Sequence, residues 1–124
     1  MLTPTAYGLA VLLDVFIVFI GARFLFAPRA AAAGYGVAAK PGGDRAYLTI
    51  KGLRDGTSGL VGLALLLFAG PAAAAWFALV IALVPLGDTV IVLRNGGTKA
   101  TAFGIHFATA VVVLISAALL FAVA

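Results

Sequence analysis

Long apolar runs alternate with short polar joints along this chain, and nearly every charged residue lies in a joint or close to the end of a run. A helix that crosses the hydrocarbon of a bilayer needs roughly 20 mostly apolar residues. Residues 5–26 (TAYGLAVLLDVFIVFIGARFLF), 46–69, 72–93 (AAAAWFALVIALVPLGDTVIVL) and 100–122 each reach that length. Gly70 and Pro71 separate the second and third runs, and proline suits the first position of a helix. RNGGTK separates the third and fourth, a short turn with two glycines. The connection over residues 27–45 is longer and holds Gly34, Gly36, Pro41, Gly42 and Gly43, which predicts a loop with one short interfacial helix around 29–33. The pattern predicts an all-α, four-transmembrane-helix bundle forming a single membrane domain over residues 1–124.

Composition agrees with that pattern. Soluble domains are about 45–50% apolar and about 25% charged, whereas this chain is 65% hydrophobic and 10% charged. There is no cysteine, which excludes disulfides, thiol nucleophiles and thiolate metal sites. The first run has no basic region ahead of it, and Arg23 follows its core, so it reads as a retained helix rather than a signal peptide.

The net charge of +4 has a spatial explanation. Arg23, Arg29, Lys40, Arg45, Lys51, Arg54, Arg94 and Lys99 all fall in the first and third connections or in the helix ends beside them. Basic loops stay on the cytoplasmic side. The expectation is a multi-pass protein of the cell (cytoplasmic) membrane, with both termini outside and the basic loops in the cytoplasm. Attraction to the lipid bilayer then accounts for the basicity, and no nucleic-acid partner is implied.

Several ionisable groups lie inside the runs. At a rise of about 1.5 Å per residue, Arg54 and Asp55 sit roughly 12–14 Å into the second helix, Asp88 roughly 9 Å from the end of the third and His106 roughly 10 Å into the fourth. Arg23 precedes Pro28 closely, and Tyr47, Lys51, Asp55 and Ser58 share a helix face. A polar group in lipid must find a partner or a water-filled cavity. The prediction is an inward-facing cluster of Arg23, Lys51, Arg54, Asp55, Asp88 and His106, with Thr57, Ser58 and Thr89 as neutral partners.

Two uses of that cluster stay open. It can be an ion-pair network that fixes the helices, with Arg23 or Arg54 against Asp55 or Asp88. It can also be a pocket in the cytoplasmic half, with Asp88, His106 and Asp55 as catalytic acid–base groups and Arg54, Arg23, Lys51 and Ser58 binding a ligand. Lys51 is long enough to snorkel to the interface instead. Asp14 stands apart near the middle of the first run, roughly 13 Å from Arg23 along the axis. It is either a neutral carboxyl in a helix or subunit contact, or a proton-relay site.

The small residues predict packing. Gly52, Gly56, Gly59 and Gly62 form a stripe on the second helix, with Gly8 and Gly21 serving the first, and small residues let helix backbones approach in lipid. Pro85 predicts a kink just before Asp88. A single histidine gives no zinc site of the usual kind, and neither a phosphate-binding loop nor a nucleophile elbow is present, so no metal and no cofactor are expected.

GARFLFAP (21–28), KGLRDGTSGL (51–60), PLGDTVIVLRNGG (85–97) and His106 together resemble the small integral membrane proteins of the domain-of-unknown-function 4267 family. The positions that carry the resemblance are Arg23, Pro28, Gly52, Arg54, Asp55, Asp88 and His106. It implies a four-helix membrane protein and brings no reaction with it. From the residues themselves, the leading expectation is a membrane protein that binds a lipophilic small molecule or acts on it by acid–base chemistry. The alternatives are a small transporter or proton-coupled channel subunit, or an accessory subunit of a larger complex. A homo-oligomer is compatible with each.

Overall fold

The computed structural model describes residues 1–124. Five helices follow in order: α1 (Leu2–Phe26), the short α2 (Pro28–Tyr35), α3 (Arg45–Ala69), α4 (Pro71–Arg94) and α5 (Lys99–Val123). The four longer ones are each long and apolar enough to cross a membrane. The chain is therefore an all-α protein with the build of a multi-pass membrane protein.

Local chemistry sets the joints. The residue before a proline is pushed out of the helical region, and Ala27, ahead of Pro28, ends α1 at φ −139° and ψ 63°. Gly70 joins α3 to α4 at φ +91°, a conformation that side chains disfavour. At the start of α5, Thr98 Oγ1 accepts the Thr101 N–H at 3.1 Å, an N-cap. α4 is interrupted at Ala82, between Pro71–Ile81 and Leu83–Arg94. Pro85 has no N–H to give the Ile81 carbonyl, which explains a break one turn ahead of it. Leu65–Ala69 in α3 and Ala102–Phe107 in α5 are wound as π-helix.

Only 22 of the 124 residues are buried, and most of those are small. Bulky apolar chains such as Leu12, Phe19, Leu60, Trp76 and Leu83 point outward. That surface would be a liability in water and is the natural one in lipid.

The helices associate as two pairs, α1 with α3 and α4 with α5. Glycine makes the first pair possible. A methyl group on Gly52 would stand 2.7 Å from the Gly21 carbonyl oxygen, and one on Gly59 would stand 2.6 Å from the Asp14 carbonyl oxygen. Gly8 takes no part: it is exposed and its missing side chain would meet nothing, so the packing role expected of it is not there. At the end holding the termini and Gly70, Ala6, Ala10, Leu66, Ala74, Ala75 and Leu120 join into one apolar cluster. Trp76 and Phe121 pack edge-to-face at that end, with centroids 5.1 Å apart.

Candidate functional site

Between the two pairs lies a cavity of about 660 Å³ to which α2 and all four long helices contribute. Its polar groups concentrate at the α2 end, and its other end runs up to Ala10, Ala74 and Leu120 of the apolar cluster.

Tyr35 organises the polar end. It is the last residue of α2, which stops because Gly36 turns left-handed at φ +108° and the Val37 N–H returns to the Ala32 carbonyl at 3.3 Å. The turn is wedged against α4 and α5. A side chain on Gly36 would meet Thr101 Cγ2 at 2.8 Å and Val92 Cγ1 at 3.0 Å, and one on Gly97 would meet the Gly36 carbonyl oxygen at 2.8 Å. The wedge carries the Tyr35 ring into the bundle.

There the Tyr35 hydroxyl donates to Asp88 Oδ2. Burial, then the adjacent Asp88 charge and this hydrogen bond, push the phenol pKa upward, so Tyr35 stays protonated and acts as a donor. His106 Nε2 lies 2.7 Å from the Tyr35 carbonyl oxygen. A carbonyl can only accept, so Nε2 carries the proton, and in the neutral ring Nδ1 is left with the lone pair. His106 is 3% exposed and sits in the π-wound turn of α5. Such turns are frequent at functional sites. Lys51 Nζ lies over the Tyr35 ring, 4.2 Å from its centroid, and 4.8 Å from that of Phe24. The same Nζ pairs with Asp55 Oδ2 at 2.7 Å.

Asp55, Asp88, His106, Arg54 and Ser58 line this cavity, as does Asp14. Ser58 donates its hydroxyl to the Asp55 carbonyl at 2.8 Å, within its own helix. Thr89 likewise donates to the Pro85 carbonyl at 2.8 Å, and Thr57 is exposed.

Three expectations need correction. Arg23 is exposed and does not line the cavity. Close to the end of α1, its long side chain can keep its charge in water, which avoids desolvation. Lys51 neither snorkels outward nor lines the cavity: it turns inward behind Tyr35, where Asp55 and two aromatic faces compensate it. No arginine pairs with Asp55 or Asp88; the single ion pair is Lys51–Asp55, within α3.

Tyr35 itself was not among the expected site residues. Its signal is a lone hydroxyl-bearing aromatic between two glycines, Gly34 and Gly36, in a joint between two spans.

The sequence profile of a domain of unknown function, DUF4267, matches residues 15–120. The chain belongs to the DUF4267 family. The match takes in Tyr35, Arg54, Asp55, Asp88 and His106 and leaves Asp14 just outside. No curated protein and no solved structure matches. What this DUF4267 chain offers chemically is a greasy chamber with one polar wall. On that wall Asp88 Oδ1 takes no bond from a protein donor, His106 Nδ1 is left with its lone pair, and Arg54, an exposed residue, is a cation without a carboxylate partner.

Proposed function

We propose that the protein binds one lipophilic small molecule in the cavity, with its polar head against Tyr35, Asp88 and His106, and can act on that head by proton transfer. The observation that supports this most is the Tyr35–Asp88–His106 constellation at one end of a chamber lined mainly by apolar side chains. Ligand sites are typically apolar clefts of roughly 300–1,000 Å³ with a few convergent polar groups. A head-group hydroxyl or amine bonded to Asp88 Oδ1 is placed to give up its proton to the carboxylate. His106 Nδ1 is a second acceptor, and Arg54 suits a developing oxyanion. Asp55, already matched by Lys51, shapes the field more than it takes a proton. The basic end, with this polar wall, faces the cytoplasm in this reading, and the termini face outward.

The apolar cluster beyond the cavity favours binding over conduction: of the residues that line the cavity, the one polar side chain beyond Asp14 towards that end is Ser116, which is 1% exposed. A structural reading competes on a specific ground, because the Tyr35 bonds also tie α2 to α4 and α5.

Native mass spectrometry in mild detergent separates the two. The wild type should retain a lipophilic molecule that the Asp88→Asn/His106→Ala variant loses while its thermal melt stays cooperative. An empty wild type, with a variant that melts at lower temperature, would leave the three residues as fasteners only.

A further inference from the structure

We propose that the cavity is loaded sideways from the bilayer through the seam between α1 and α5, and that it admits a single-chain lipophile with a hydrogen-bonding head. This rests on the binding function proposed above.

A second groove, of about 320 Å³, runs on the α1–α5 seam. Leu13, Phe16, Ile105 and Thr109 line both this groove and the central cavity. These four side chains are therefore the wall between the two spaces, and their rotation is what would join them. The groove is otherwise bounded by Gly104, Ala108 and Val112 of α5, and Phe16 and Ile105 are about half exposed to the surroundings of the helices.

Gly104 and Ala108 lie one turn apart, a spacing that in membranes usually brings two backbones together. Here it does not: a methyl group on Gly104 would meet nothing within 4 Å. On the α1–α3 seam the same small residues are filled by backbone, and on the α1–α5 seam they leave a gap. Ile105 and His106 are neighbours in the π-wound turn, so the wall of the gap adjoins the polar wall of the site. The groove is lined mainly by apolar groups and opens on a surface of bulky apolar side chains, so what passes through it comes from the hydrocarbon.

The size of the chamber sets the class. It lies in the range of one drug-sized molecule, which suits one chain and not a two-chained phospholipid. The free Asp88 oxygen and the His106 lone pair ask for a donor on the head, such as a hydroxyl.

The test is photolabelling in phosphatidylcholine vesicles with a long-chain fatty alcohol that carries a mid-chain diazirine. A phosphatidylcholine with the same group on one chain is used in parallel, and adducts are mapped by peptide mass spectrometry. Adducts on lipid-facing Leu12, Phe19 and Leu60 report insertion in every sample. The alcohol should also mark Phe77, Ala78 and Ile81 on the far cavity wall, and the phospholipid should not. Gly104→Trp, and separately Ala108→Trp, should reduce the cavity adducts to background while the lipid-facing ones persist. Two plugs guard against a folding defect in one.

Cavity adducts that survive both plugs would overturn the route. Cavity adducts from the phospholipid would overturn the ligand class. Failure of the alcohol to mark the wild-type cavity would overturn both. The occupancy measurement above reads binding by any route, so the failure of the binding reading registers there separately.

Discussion

The seam between α1 and α3 and the seam between α1 and α5 use similar residues for opposite ends. On the first, glycines lie against backbone: Gly52 meets Gly21, and Gly59 meets the Asp14 carbonyl. On the second, Gly104 meets nothing and a groove remains. In lipid no hydrophobic force drives helices together, so close packing and hydrogen bonds decide which contacts are firm. α1 and α3 therefore form the rigid half of the molecule. The α4–α5 pair is held to that half at its two ends, by the apolar cluster around Leu120 and by the bonds around Tyr35, with a chamber between. A small residue in a membrane helix marks close packing only when atoms of a neighbouring helix face it, backbone at Gly52 and Gly59 and the Asp14 side chain at Gly62.

The largest effect should come from making one chemical change on both seams. Gly59→Ala drives a methyl group to 2.6 Å from a backbone oxygen that cannot yield. It should destabilise the folded bundle by about 3 kcal/mol, the upper end of the overpacking range. Gly104→Ala meets no atom and removes a flexible glycine from a helix, so it should stabilise by about 0.5–1 kcal/mol. Reversible unfolding in mixed micelles reads both. Equal signs for the two variants would break the contrast between the seams.

The four spans were legible because span length and apolarity are local properties. Most of the glycine stripe of α3 was legible for the same reason: Gly52, Gly59 and Gly62 lie against α1, whereas a methyl group on Gly56 would meet nothing within 4 Å. Asp88 and His106 stood out as polar positions on apolar helices. Tyr35 did not, because its place depends on the turn at Gly36 meeting Val92 and Thr101, residues more than fifty positions away in the chain. Arg23 and Lys51 were assigned to one cluster by depth, yet depth does not say which way a long flexible side chain turns. One reaches out and the other packs against Phe24 and Tyr35. Neither π-wound segment was read from the sequence, although one of them carries His106.

Removing the Tyr35 hydroxyl tests the polar fastening of the two halves. Tyr35→Phe keeps the ring against Lys51, Phe24 and His106 and deletes only the bond to Asp88. Hydrogen bonds to charged groups contribute about 1.5–3 kcal/mol, and a loss of about 2 kcal/mol is expected from the same unfolding assay. The loss should also depend on pH. The folded state raises the Tyr35 pKa, so it holds the phenol proton where the unfolded chain releases it. That stabilisation is complete below the ordinary tyrosine value of about 10 and declines as pH rises beyond it. Wild type should lose its advantage over Tyr35→Phe on alkaline titration. A difference between them that stays constant with pH would remove the phenol–carboxylate bond from the account.

The smallest effect should belong to the charge pair. Lys51 and Asp55 stand four residues apart on α3, so their bond joins no two helices. Ion pairs of this spacing on helices contribute about 0.3–0.5 kcal/mol when exposed. Their side chains are only 28% and 14% exposed, which lifts the expected coupling to about 1 kcal/mol. A double-mutant cycle with Lys51→Met and Asp55→Asn measures it. Lys51 also lies over the Tyr35 ring, a contact that does cross from α3 to α2 and is worth roughly 0.5–2 kcal/mol. In the Tyr35→Leu background, Lys51→Met should therefore cost less than it does in the wild type, whereas Asp55→Asn should cost the same. If the cycle instead gave a Lys51–Asp55 coupling larger than the whole effect of Tyr35→Phe, the polar end would be fastened by charge inside the rigid half. The phenol would then be a guest of that pair, and the division between a packed half and a bonded half would have to be drawn elsewhere.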